Sequence, residues 1–162
     1  MSGWLEQYRR MHRWQRRLWL GFEHIAGGDD EATRDVFYAF AQASWHLVDW
    51  LETDRLQHVR RDRAEAYVHG SPILEFCRDI CNGSKHAQLQ AKKVDVTTHK
   101  TTTMVSGKDD EGESHSYEVV NVQVLVRWGD EMIEASDFAG RCIEEWNRFL
   151  ISEGLLSTPR ET

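Results

Sequence analysis

The spacing of apolar residues changes twice along this chain, and those changes limit the fold more than any motif does. Trp4, Tyr8, Met11, Trp14, Leu18, Phe22 and Ile25 recur at three- and four-residue steps, the period of a helix buried on one side. A helix over 4–26 is expected, ended by Gly27-Gly28-Asp29-Asp30, which also supplies an N-cap for the next. A second helix over 31–52 has Val36, Phe37, Phe40, Ala43, Leu47, Trp50 and Leu51 on its main face, with Tyr38 and Trp45 on another side. A helix apolar on two sides is packed by more than one neighbour, so this one is central. A charge-rich helix over 54–68 follows. Gly70-Ser71-Pro72 then stops and restarts the chain, with Ser71 as N-cap and Pro72 at the first position of a helix over 72–89.

Beyond Leu89 the period falls to two. Val94, Val96, Thr98 and Met104 alternate with polar residues, and β-branched side chains dominate. Strands are expected over 92–105, 117–128 and 131–135, the second aligning Val120, Val122, Val124, Val126 and Trp128 on one face. The acidic stretch 106–115 reads as a loop, and Gly129-Asp130 as a tight turn. A closing helix over 137–153, capped by Ser136 or Asp137, restores the helical period through Phe138, Cys142, Ile143, Trp146, Phe149 and Leu150. The expected fold class is α+β, mainly α: a single domain over 1–162, a helical bundle with a three-stranded antiparallel β-meander inserted before its last helix.

Composition narrows the function less. A chain of 162 residues is long enough for one real core. Its net charge of -7 gives no global nucleic-acid signature. The charge is uneven, however: Arg9, Arg10, Arg13, Arg16 and Arg17 fall on the polar side of the first helix, and acids gather at 109–113. No apolar leader follows Met1-Ser2-Gly3, the three cysteines make an odd count, and no apolar run approaches the roughly 18 residues of a membrane span. The expectation is a cytoplasmic protein with no membrane span.

Chemistry concentrates on the fourth helix. Arg78, Asn82, Lys85 and His86 fall within about 100° of one another, opposite Ile73, Phe76, Cys77, Ile80 and Ala87, provided that Gly83 does not break the helix. A guanidinium and an ammonium there suit a phosphate, and an imidazole can move a proton. The same face is also read as solvated surface, or His86 as a cap or packing contact. His46 and Asp49, three apart on the second helix, are a supporting polar pair for that cleft or a structural pair fixing helix packing. Arg13 and Arg17, interleaved with Trp14 and Trp19, suit an RNA backbone; the alternatives are a solvated face and a partner protein. No Glu-x-x-His occurs, and Cys77 and Cys81 lack the company zinc needs, so neither metal nor cofactor is expected.

Two segments carry a resemblance. Phe40-Ala41-Gln42-Ala43-Ser44-Trp45-His46-Leu47-Val48-Asp49-Trp50-Leu51, followed one helix later by Asp79-Ile80-Cys81-Asn82-Gly83-Ser84-Lys85-His86, resembles the HEPN superfamily, in particular bacterial members with HLxDW and NGSKH signatures. The likeness covers roughly 30–90 and the last helix; the sheet lies outside the family core. It implies an up-and-down bundle and a homodimer whose paired motifs form a metal-independent ribonuclease, in settings such as toxin–antitoxin or phage defence. Asn82 and His86 take the family's asparagine and histidine places, while Cys81 stands in the arginine place and Arg78 lies one turn earlier. Cysteine cannot stabilise the charge that develops on a phosphorane. The resemblance therefore implies an RNA- or nucleotide-interacting module with weakened or absent ribonuclease activity. The alternatives are a non-catalytic self-associating module and a small-ligand bundle with its site at His46, Asp49 and His86.

Overall fold

The computed structural model of the chain describes residues 3–20, 30–54, 59–85, 96–108 and 112–157. They form an α+β fold in the order α1 (Gly3–Leu20), α2 (Asp30–Thr53), α3 (Arg61–Gly70), α4 (Pro72–Lys85), β1 (Val96–Lys108), β2 (Ser114–Trp128), β3 (Glu131–Glu134) and α5 (Ala135–Ser152). As its two apolar sides require, α2 touches every other helix and the first two strands. Phe37, Phe40, Leu47 and Leu51 of α2 are fully buried among Met11 of α1, Leu74 and Cys77 of α4, and Trp146 and Leu150 of α5.

Phe138 ties the layers together. Its ring is fully buried and meets Phe37 of α2 at 5.8 Å, Phe76 of α4 at 5.4 Å and Trp128 of β2 at 6.4 Å between centroids. All three contacts are edge-on, the arrangement that the ring quadrupole favours. Two turns later Trp146, also on α5, donates its indole N–H to Ser44 Oγ of α2 at 2.9 Å, so a large ring enters the core with its polar atom satisfied. Buried Gln7 links α1 to the same helix by donating to the Ala43 carbonyl at 2.9 Å.

Among the described residues, the buried positions of the antiparallel sheet lie at its base. Val122, Val124 and Val126 of β2 are buried, and β2 contacts α2 and α5 there. β3 pairs only with Leu125 to Trp128 across the Gly129-Asp130 turn, where Gly129 takes φ 63°, the sign a primed hairpin turn demands. β1 and β2 then run on together without a bulge, from Val96↔Val126 to Lys108↔Ser114. At about 3.3 Å per residue this two-stranded ribbon is roughly 40 Å long, and ten of the 13 residues of β1 are exposed.

Several expected boundaries move. The third helix does not begin at 54: Asp54 is buried outside the helices, its Oδ2 accepting the Trp4 N–H at 3.3 Å, and Val59 donates its N–H to the Leu51 carbonyl at 3.1 Å. α3 starts at Arg61, with Arg60 as its N-cap. Both ends of the expected loop 106–115 are strand, because β pairing continues to Lys108 and Ser114 and a Ser106–Ser116 hydroxyl contact of 2.9 Å crosses it. The last helix needs neither Ser136 nor Asp137 as a cap, since Glu134 is its N-cap and buried Ala135 its first residue. The expected segments at 21–29, 55–58, 86–95 and 109–111 lie outside the described residues.

Truncating the shared ring is the direct test of this packing. Phe138→Ala should lower the unfolding free energy by about 3–5 kcal/mol in urea titrations, whereas a change within about 0.5 kcal/mol, the usual range of surface sites, would remove Phe138 from the centre of the fold.

Candidate functional site

Gly83 does not interrupt α4, which runs unbroken from Pro72 to Lys85. The turn bearing Asn82 is therefore helical, with Asn82 half-buried. His86 and Ala87 lie outside the described residues. Arg78 is described, and it is already engaged. Its guanidinium, with only 18% of the side chain exposed, lies 2.7 Å from Asp79 Oδ1 and 3.1 Å from Glu75 Oε1, and it also donates to His69 Nδ1 of α3. Two carboxylates and an imidazole thus surround the cation that the sequence offers to a phosphate. Glu75, at i−3, was legible from helical spacing; His69, across the Gly70-Ser71-Pro72 break, was not.

His46 and Asp49 part company. The His46 ring turns to α4, with Nε2 3.7 Å from Sγ of buried Cys81. Asp49 instead receives Arg61 Nη1 of α3 at 2.7 Å. Arg61 also meets Glu65 at 2.7 Å and Glu52 at 3.3 Å, and these hydrogen bonds, that to Glu65 foremost, hold its guanidinium above the ordinary arginine range. Residues three apart on one helix have here been drawn to two different neighbours. Even so, the two signature segments do meet, through the His46–Cys81 contact. The other cysteines, Cys77 and Cys142, lie buried with their sulfurs 3.5 Å apart, and burial pushes the Cys142 thiol up. Among the described residues no group of His, Cys, Asp or Glu is arranged to hold a metal ion.

The larger accessible cluster is on α1. Its sequence holds five arginines against one glutamate, and Arg9, Arg10, Arg13, Arg16 and Arg17 are all exposed. At 100° per residue they occupy a sector of about 120°, opposite buried Trp4, Gln7 and Met11. Arg17 lies 4.6 Å from the Trp14 ring centroid and Arg10 5.8 Å from that of Trp50, so two guanidinium groups lie over aromatic faces within cation–π range. Arg13 pairs with Glu6 at 2.9 Å, both half-exposed, a contact that a stronger anion displaces readily. Trp19, 76% exposed, stands at the end of the stripe. Burial holds the His12 imidazole below the usual histidine range, so the positive charge of α1 is arginine charge and does not change near neutral pH.

No protein-family model, curated protein or solved structure matches this chain. Among the described residues no helix is long and apolar enough to cross a membrane.

The two arginine environments differ in a measurable way. Arg78→Ala leaves Glu75 and Asp79 facing each other without their cation, and should lower the unfolding free energy by about 1–3 kcal/mol in urea. An arginine held in reserve for a ligand would instead leave stability unchanged or raise it.

Proposed function

We propose that this chain is a HEPN-like RNA-interacting module that binds single-stranded RNA and does not cut it. The exposed arginine stripe of α1, ending at Trp19, carries the reading. A row of permanent cations neutralises successive phosphates, and an exposed indole offers a stacking surface to an unpaired base. That such a stripe exists in a chain of net charge -7 argues for a local electrostatic site rather than a diffuse one. The contact of His46 with Cys81 supports the HEPN-like element of the reading, because it brings the two signature segments together.

Loss of cleavage rests on a separate observation. Arg78 is compensated by Glu75 and Asp79, and the arginine place of the motif holds a buried cysteine. Asn82, Lys85 and His86 would then contribute to binding at most, with Arg13 and Arg17 as the principal phosphate contacts.

Fluorescence anisotropy with a labelled single-stranded RNA tests this. Affinity should fall steeply between 50 and 200 mM salt, and the triple variant Arg13→Ala/Arg16→Ala/Arg17→Ala should flatten the log–log salt slope by roughly 2, at about 0.7 per lost single-strand contact. The RNA should stay intact with or without a chelator. Absence of binding at low salt, an unchanged slope in the triple variant, or metal-independent cleavage lost in His86→Ala would each overturn the reading.

A further inference from the structure

We propose that Cys77 of α4 and Cys142 of α5 form an oxidation site, at which a small neutral peroxide joins the two helices through a buried disulfide. This inference rests on neither the RNA-binding nor the HEPN-like reading. Both residues are free cysteines with no exposed surface, and their sulfurs lie 3.5 Å apart. A disulfide needs a separation of about 2.0 Å, so the sulfurs must approach by roughly 1.5 Å. Side-chain rotation on two helices already in contact can supply that approach.

The surrounding contacts hold the pair in place. Phe76, the residue before Cys77, meets Phe138 edge-on at 5.4 Å, and Phe138 is one turn before Cys142. The Cys142 thiol also faces the Ile73 carbonyl, 3.9 Å away and one turn before Cys77. Cys142 therefore sits across a single turn of α4, from Ile73 to Cys77. The sequence offers it a second partner on the same helix, Cys81, but that sulfur is turned to His46 of α2 at 3.7 Å. Geometry selects one pair from three thiols.

The chemistry closes on these two residues. One sulfur gives up its proton, attacks a peroxide oxygen and becomes a sulfenic acid as the first water leaves. The second sulfur displaces that hydroxyl, forms the S–S bond and releases the second water. The pair loses two electrons, which reduce the peroxide. The bond spans 65 positions of sequence, closing a loop that holds the end of α4, the whole described sheet and the start of α5. Such a closure stabilises the fold by restricting the unfolded chain. Burial sets the rates. It pushes the Cys142 thiol up, which slows the forward reaction, and it shields the finished bond from thiol reductants. The site works as a slow latch.

Peptide mass spectrometry on the intact folded chain tests the proposal. After treatment with hydrogen peroxide and alkylation in denaturant, the main product should link Cys77 to Cys142, with Cys81 alkylated. Cys142→Ala should abolish the link and Cys81→Ala should leave its yield unchanged. The oxidised wild type should unfold at a temperature about 5–10 °C higher than the reduced form. Dithiothreitol should reverse the shift at least about tenfold more slowly in native buffer than in urea, because the sulfurs are reached only when the core opens. Oxidation to sulfonic acid without the link, a main product that includes Cys81, an unfolding temperature unchanged or lowered, or equally fast reduction in both buffers would overturn the proposal.

Discussion

The Phe138 ring is the point at which the two halves of the sequence become one structure. It belongs to the helix that follows the sheet, yet it packs edge-on against Phe37 of α2, Phe76 of α4 and Trp128 of β2. The base of the sheet is therefore fixed to the bundle through the helix that leaves it. Trp146 extends the same seam by its hydrogen bond to Ser44, and Tyr67 adds a tie from α3 by donating to the Glu145 carbonyl at 3.2 Å. Because β3 runs into α5 without a loop, the turn at Gly129 is rigidly connected to this core. What is not held by it is the outer ribbon, whose only described support is the pairing of β1 with β2.

The apolar period made the fold legible where a face is buried. The valines at 122, 124 and 126, the two-sided α2 and the α5 stripe from Phe138 to Leu150 are placed as their spacing requires. Reading failed where another force decided the conformation. Asp54 looked like the start of a helix, but its carboxylate is taken by the Trp4 backbone, a partner 50 residues away that no local pattern reveals. The stretch 106–115 looked like a loop because it is polar. A ribbon exposed on both faces has no reason to show alternation, so its strand character is invisible to a hydrophobic period. Arg78, Asn82 and Lys85 lie on one continuous helix as their spacing requires, and the ion pairing of Arg78 with Glu75 was within reach of i,i+3 reasoning. The divergence of His46 from Asp49 was not, since it depends on where α3 and α4 lie.

Electrostatics separates the cations of this chain into two kinds. Arg61 and Arg78 are enclosed by carboxylates and act as joints between helices. The arginines of α1 project from the opposite side of a buried face, and two of them lie over tryptophan rings. A guanidinium resting on an indole keeps its N–H edge directed outward while losing little freedom, which suits phosphate contacts better than a flexible lysine. The exposed arginines lie on α1 and Arg78, Asn82 and Lys85 on α4, so the proposed binding surface is separate from the segment whose sequence resembles HEPN proteins.

That separation is what most needs measuring. Ultraviolet cross-linking of the intact chain to single-stranded RNA, followed by peptide mass spectrometry, locates the contact without any substitution. Adducts concentrated on residues 9–19 are the expected result. Adducts confined to residues 78–86, with α1 unmarked, would contradict the account and return the site to the motif.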